Sequence, residues 1–473
     1  MIDPKLPSSS SSRRRIAADS YREWAEKAQA FDRTRGGLAW REKEESDLYG
    51  YRSIRKRLDT LRRFRAEADD HAVLFNLNEG IHGNMDGIAN ARLYQRSAFG
   101  TKHLIEDYVR EIDDALRHIA ATDDTRISAE EKRAFFVRAL RCYGQSAFLM
   151  SGSGMFLFFH LGVAKAMWQE GLLPRIVSGS SGGSVVGAIV CTHTDAELPN
   201  YFDPQWLHEL GERHGTNGKP GKFVNQDVGR RQMEHLIPDL TFQEAYELTG
   251  RYLNISIAPA EKHQKSRLLN AIASPNVLIR EAVLASCAVP GIYEPVALMA
   301  KDHTGQRVPY LEDQRWVDGS VTSDLPTKRL ARLFGVNHHI VSQANPMVTP
   351  FISDTKQPDS PLASIHQASV ATFKAWANAN YAIMERPLAL FPRLNAAVTM
   401  GMSVLDQEYV GDITIINPVQ LATLAKGLSQ LTPQEMADLV KSGEQQTWPK
   451  LEMIKNQTVI SRTLTTITHQ FQG

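Results

Sequence analysis

"RIVSGSSGGSVVGAIV", residues 175–190, packs four glycines and four serines between branched apolar residues. Its opening "RIVS" has the β-branched look of a short strand, and "GSVVGAIV" suits a helix packed closely on a sheet. Between them, Gly179-Ser180-Ser181-Gly182-Gly183 spells G-x-S-x-G. Such a spacing makes a sharp strand-to-helix turn that presents the central serine, provided the residues two before and two after carry no side chain. That selects Ser181, flanked by Gly179 and Gly183, as the displayed hydroxyl. The helix behind it adds amide N–H groups and a positive dipole end.

Working outward, short β-branched or aromatic runs recur at 146–150 ("SAFLM"), 252–258 ("YLNISIA"), 315–318 ("RWVD") and 338–343 ("HHIVSQ"). Longer segments of helical character separate them. Strands alternating with helices predict an α/β domain with a mainly parallel sheet, over residues 145–346. Ahead of it, residues 16–144 read as helical. In "LIEDYVREIDDALRHIA", Ile105, Tyr108, Val109, Ile112, Leu116 and Ile119 recur at three and four residues. "SAEEKRAFFVRALRCYG" opens with Ser128 and Glu131 in capping-box spacing and stops at Gly144. Residues 347–473 read as a mostly helical extension holding one strand, "DITII" at 412–416. Its helix "TPQEMADLVKSG" is expected to start at Thr432, with Pro433 in the first turn and Glu435 closing a capping box, and to stop at Gly443. Residues 1–15, rich in Ser and Arg, read as a disordered tail.

Bulk properties narrow the chemistry. The 54 basic and 53 acidic side chains of the 473 residues leave a net charge of +1, so no global field recruits nucleic acid. Cys142, Cys191 and Cys287 lie far apart without a CxxC pair, which suggests neither a disulfide framework nor a zinc site, and a reducing cytoplasm is the expectation. "MIDPKLPSSSSSRRR" lacks the apolar core of an export signal, and the longest apolar run, "MFLFF" at 155–159, is far short of the ~20 residues of a membrane span. "RKRLDTLRRFR" at 55–65 is read as a solvated helix face in preference to one that contacts phospholipid.

Other motifs bear on the serine. Ser151-Gly152-Ser153-Gly154 follows the run "SAFLM", and small residues at a strand end leave backbone N–H groups open to an oxyanion. A nucleotide loop would need a third glycine where Leu157 stands. Asp318, followed by Gly319 and Ser320, either forms a turn or offers a carboxylate on the sheet edge that carries Ser181. A Ser-Asp-His triad would add His338, His339 or His366. His160, in an apolar helix, reads as structural. His118 and Asp123 match an H-x4-D box by chance spacing. "MFLFF" and "GIYEPVALMA" are either core or the lining of an acyl channel.

Taken together, "SGSG", "GSSGG", "LASCAVPGIYEPV" (284–296) and "WVDGSVTSDLP" (316–326) resemble the patatin-like phospholipases. "GNMDGIANARLYQRSAFGTKHLIEDYV" (83–109) and "VLDQEYVGDITIINP" (404–418) extend the resemblance to the subgroup of yeast and plant triacylglycerol lipases with a helical domain ahead of the core. The resemblance implies a three-layer α/β/α core and a Ser-Asp dyad without histidine. Ser181 would be the nucleophile and Asp318 the base, with the amides of Gly152, Ser153, Gly154 and Met155 as oxyanion hole. It implies a serine lipid acyl hydrolase that needs no cofactor or metal, cleaving triacylglycerol or phospholipid at a membrane or lipid-droplet surface. An acyltransferase and a silent lipid-binding protein are the rivals. Two departures stand out: Ser153 occupies the place of a family glycine, and Asp318-Gly319-Ser320 replaces Asp-Gly-Gly or Asp-Gly-Ala.

Overall fold

The computed structural model describes residues 16–79, 81–217, 219–222, 224–261, 265–320, 324–345, 348–349, 409–418 and 429–471. The chain divides into two compact units, one of residues 1–146, 334–338 and 447–473, the other of 147–333 and 339–446. The expected tail at 1–15 and most of the expected extension after 347 lie outside the described residues.

In the first unit, helix His103–Ala121 buries all six residues of the expected stripe, from Ile105 to Ile119. It packs on helices Tyr51–Ala66 and Asp70–Asn78. Helix Ala129–Tyr143 starts at Ser128, whose side chain accepts the Glu131 N–H, and ends at Gly144 with φ of 81°. His118 is held by Asp70 at 2.6 Å, which gives the H-x4-D spacing a structural use with a different carboxylate. Beside helix Gly37–Glu42, the fully buried Lys102 donates to the carbonyls of Trp40 and Lys43, both at 2.7 Å, a cation set against unsatisfied helix-end carbonyls.

The second unit is organised by one sheet. Its strands are β1 (Gln145–Met150), β2 (Ile176–Gly179), β3 (Tyr252–Pro259), β4 (Arg267–Leu269), β7 (Trp316–Asp318), β8 (Val336–Gln343) and β9 (Ile413–Ile416). β5 (Leu298–Lys301) and β6 (Arg307–Tyr310) form a separate hairpin. The order is β4-β3-β2-β1-β8-β9, parallel from β1 to β2, β2 to β3 and β8 to β9. β4 and β7 pair with β3 in the antiparallel sense. β1, β2, β3, β7, β8 and β9 sit where the sequence rhythm put them, because β-branched runs buried on both faces leave a strong signature, whereas β4 and the β5–β6 hairpin have no counterpart in that rhythm. The chain moves from β1 to β2 on one side and returns with β8 on the other. Strand order therefore reverses at β1, the place where open α/β sheets bind ligands beyond their carboxyl ends.

One expectation is corrected. The helix that starts at Thr432, with the Thr432–Glu435 capping box formed as expected, does not stop at Gly443 but runs from Pro433 to Gln470 through Pro449. Gly443 serves close approach instead of termination. A Cβ on it would stand 2.2 Å from the Phe159 carbonyl oxygen, and one on Gly162 would stand 2.0 Å from the Val440 carbonyl. Two bare Cα positions thus let this helix lie against helix Leu157–Gln169. Helix propensity alone would make Gly443→Ala stabilising by ~1 kcal/mol. The backbone clash reverses the sign, and we expect a net loss of ~2 kcal/mol in urea denaturation; a stabilised variant would contradict this packing.

Candidate active site

Ser181 stands between β2 and helix Gly182–Thr192 with φ of 49° and ψ of −125°, a conformation that is strained for a residue with a side chain. Hydrogen bonds hold it there. Its N–H donates to Ser286 Oγ at 2.9 Å, and that hydroxyl donates to the Ser256 carbonyl at 2.8 Å. Its carbonyl accepts from the N–H and hydroxyl of Ser184 at 2.8 and 2.7 Å. The flanking glycines meet a steric demand. A Cβ on Gly179 would stand 2.2 Å from the Gly183 oxygen, and one on Gly183 would stand 2.6 Å from the Met150 oxygen.

Asp318 reaches the serine through strand pairing. β3 pairs β2 as far as Ile255 opposite Gly179, and pairs β7 from Ile257 opposite Asp318. β4 occupies the other edge of β3 across both positions. β7 therefore continues the edge that β2 leaves, arriving from the opposite direction and ending in Asp318 beside the elbow. The carboxylate accepts the Ser320 N–H at 2.8 Å, and the nearby hydroxyls of Ser320 and Ser181 help to hold its charged form. It is 2% exposed. Burial pushes its pKa from the ordinary 3.8 up to about 6, against the pull of those hydrogen bonds.

The loop after β1 lies against the elbow, since a Cβ on Gly182 would stand 2.4 Å from Gly154 O and 3.0 Å from Gly154 N. Among the described residues, no acceptor is bonded to the N–H of Ser153, Gly154 or Met155. Gly152 differs from the expectation. Its N–H donates to Asp324 Oδ1 at 2.7 Å, so that amide anchors the loop and is not offered to an oxyanion. His160 lies beneath the same loop, with Nε2 3.0 Å from Ser151 O and Nδ1 2.6 Å from Ser342 Oγ. Burial pushes its pKa down to about 3, so the ring is neutral and structural, as its place in an apolar helix suggests.

The described histidines that the alternative triad would use are engaged elsewhere. His338 bonds Ser146 through Nδ1 and Gln457 through Nε2, and His339 Nδ1 faces Asp412 at 3.2 Å. His366 lies outside the described residues. Cys287 lines the cavity near Asp318, but burial, reinforced by the Asp318 charge, pushes its thiol up to about 12 and keeps it protonated.

A cavity of about 190 Å³ opens over Ser181, Gly182, Gly154 and Met155. Its walls are mostly apolar, including Leu157, Phe158, Val185, Leu210, Met233 and Leu284. The "MFLFF" run splits between the two uses foreseen for it: Met155, Leu157 and Phe158 face the cavity, and Phe159 is fully buried. Helices Pro204–Arg213 and Gln226–Leu236 supply much of the wall and carry no signature in the sequence that marks them for it. Ser286 and Asp324 were likewise not singled out; both stand in the motifs that carry the family resemblance, but nothing local separates them from ordinary turn residues.

Comparisons with known proteins agree with this geometry. Residues 148–331 match the family described as patatin-like phospholipase, and residues 7–141 match a domain of unknown function, DUF3336. The chain is 33% identical to "Triacylglycerol lipase SDP1L" of Arabidopsis thaliana, over 93% of this chain and 56% of that protein. It is 32% identical to a patatin-like phospholipase domain-containing protein of Yarrowia lipolytica, over 94% of this chain and 56% of that protein. A Cryptococcus neoformans protein of the same description is 32% identical, over 94% and 53%. The chain thus spans about half the length of these curated relatives. Among solved structures it is similar to VipD from Legionella pneumophila at 14% identity, over 66% of this chain and 67% of that one, with a TM-score of 0.31, too low to bear on function. Elbow, glycine loop and Asp-Gly turn meet at one sheet end inside the matched region, so the chain carries a patatin-like phospholipase domain at residues 148–331 behind a DUF3336 domain at residues 7–141.

Proposed function

We propose that the protein is a serine lipid acyl hydrolase that cleaves fatty-acyl esters of triacylglycerol or phospholipid through an acyl-enzyme, using Ser181 and Asp318 as a dyad. The observation that carries this reading is the placement of Ser181, which lines an apolar cavity, beside the buried Asp318 carboxylate whose charged form its hydroxyl helps to hold. A carboxyl raised to about 6 is ionised at neutral pH and yet basic enough to share a serine proton.

Ser181 Oγ attacks the ester carbonyl carbon while Asp318 takes its proton. The carbonyl oxygen becomes an oxyanion within reach of the amides of Ser153, Gly154 and Met155. Collapse of this intermediate breaks the carbon–oxygen bond to the alcohol, which leaves with the proton from Asp318. Water then attacks the acyl-enzyme, giving its proton to Asp318, and the second collapse returns that proton to Ser181 Oγ and frees the fatty acid. A lipid-ester substrate requires contact with a lipid surface, where we propose that the protein acts as a peripheral enzyme; no helix among the described residues is long and apolar enough to cross a membrane.

Product analysis by mass spectrometry tests the reading. The protein is offered triacylglycerol emulsion and phospholipid vesicles together, with Ser181→Ala in parallel. Free fatty acid with diacylglycerol marks a neutral-lipid lipase, and fatty acid with lysophospholipid marks a phospholipase A. Acyl transfer to added diacylglycerol without free fatty acid would replace hydrolysis by transfer, and no Ser181-dependent product would remove the enzymatic reading.

A further inference from the structure

We propose that Asp324 is a positioning residue that locks the oxyanion loop to the serine elbow. This rests on the dyad reading above and extends it to a side chain that takes no part in the proton transfers.

Asp324 is 1% exposed and touches both halves of the site. Its Oδ1 accepts the Gly152 N–H at 2.7 Å, at the start of the loop after β1. Its backbone carbonyl accepts the Ser180 hydroxyl at 3.0 Å, next to the nucleophile. The elbow and the loop follow different strands, β2 and β1, and the Ser180 N–H reaches only the end of β1, donating to the Met150 carbonyl at 3.3 Å. Loop glycines have many conformations to lose, so a fixed acceptor is needed to hold the following amides in one orientation. Asp324 supplies that acceptor from a third direction, six residues beyond Asp318.

Charge sharpens the argument. Among the described residues, the titratable groups that face Asp324 are Asp318 from β7 and Tyr409 ahead of β9. Burial, aided by the Asp318 charge and opposed by the Gly152 N–H, pushes the Asp324 carboxyl up to about 8. At neutral pH it is therefore an uncharged acceptor, and Asp318 remains the ionised carboxylate of the pair. Above about pH 8 a second negative charge would develop beside the base and the oxyanion, where it opposes the transition state.

The test compares Asp324→Ala and Asp324→Asn in the full chain on a soluble short-chain p-nitrophenyl ester, with fluorophosphonate labelling alongside. Asp324→Ala is expected to lower kcat by about 30-fold or more at nearly unchanged KM, in the range set by loss of an aligned oxyanion donor. Asp324→Asn keeps the acceptor and the neutral charge. It is expected to stay within about threefold of the parent at pH 7 and to lose the parent's decline in kcat above pH 8. A merely structural carboxyl would not move that alkaline limb. Parental kcat in Asp324→Ala, or an unchanged alkaline limb in Asp324→Asn, overturns the proposal and leaves the dyad standing. If the parent shows no Ser181-dependent labelling or turnover, both readings fall together.

Discussion

A Ser181→Ala protein is expected to show no fluorophosphonate labelling and a fall in ester hydrolysis of about 10⁴-fold or more, to the background level. The reason is local. Ser181 Oγ is the hydroxyl beside Asp318, and Cys287, which also lines the cavity, is held as a thiol by burial. The main chain at 181 is set by bonds through Ser286 and Ser184 that do not involve the Ser181 side chain. Alanine should therefore fold as the parent does, and an unchanged circular dichroism spectrum and melting temperature would assign the loss to chemistry. Residual Ser181-independent turnover at the parental rate would exclude this serine as the nucleophile.

Asp318→Asn is expected to lower kcat by about 10³-fold, since amide cannot take the serine proton, and to do so with little change in KM. The parent's kcat/KM should rise through about pH 6, following the ionisation of Asp318 in the free enzyme, and hold level up to the alkaline decline that Asp324 imposes above about pH 8. Stability should run the other way. Folding raises this carboxyl from 3.8 to about 6, so the stability it contributes is fully present below pH 4 and is lost as pH rises through 6. Above that window the buried charge costs roughly 3 kcal/mol, a cost that Asn does not carry. The variant should thus be inactive yet more resistant to urea at pH 8, with the gap closing at pH 4. Equal urea midpoints at both pH values, or an active Asp318→Asn enzyme, would refute the buried base. The pattern expected is that of a site whose stability is sacrificed for reactivity.

The sequence alone determined the main strands of the sheet, though not β4 or the β5–β6 hairpin, together with the strand-to-helix elbow and the identity of the displayed serine, because each depends on local sterics. β-branched runs, bare Cα positions at 179 and 183 and the Thr432–Glu435 cap act within a few residues of one another, so their spacing is their meaning. It also brought out the patatin-like resemblance, carried by short motifs in fixed order. Tertiary structure decided what links residues far apart in the chain. Asp318 meets Ser181 because antiparallel β7 takes over the edge of β3 that parallel β2 vacates, a register between strands 137 positions apart at those residues. Gly443 reads as a helix stop until its contact with Phe159 is seen, since glycine serves termination and close approach equally well and only the neighbour distinguishes them. Gly152 looked like one more oxyanion donor until Asp324, 172 residues later, claimed its N–H. A hydrogen-bond partner supplied by a distant segment has no local signature, and that is why the displayed serine could be read from the chain while the residues set around it required the fold.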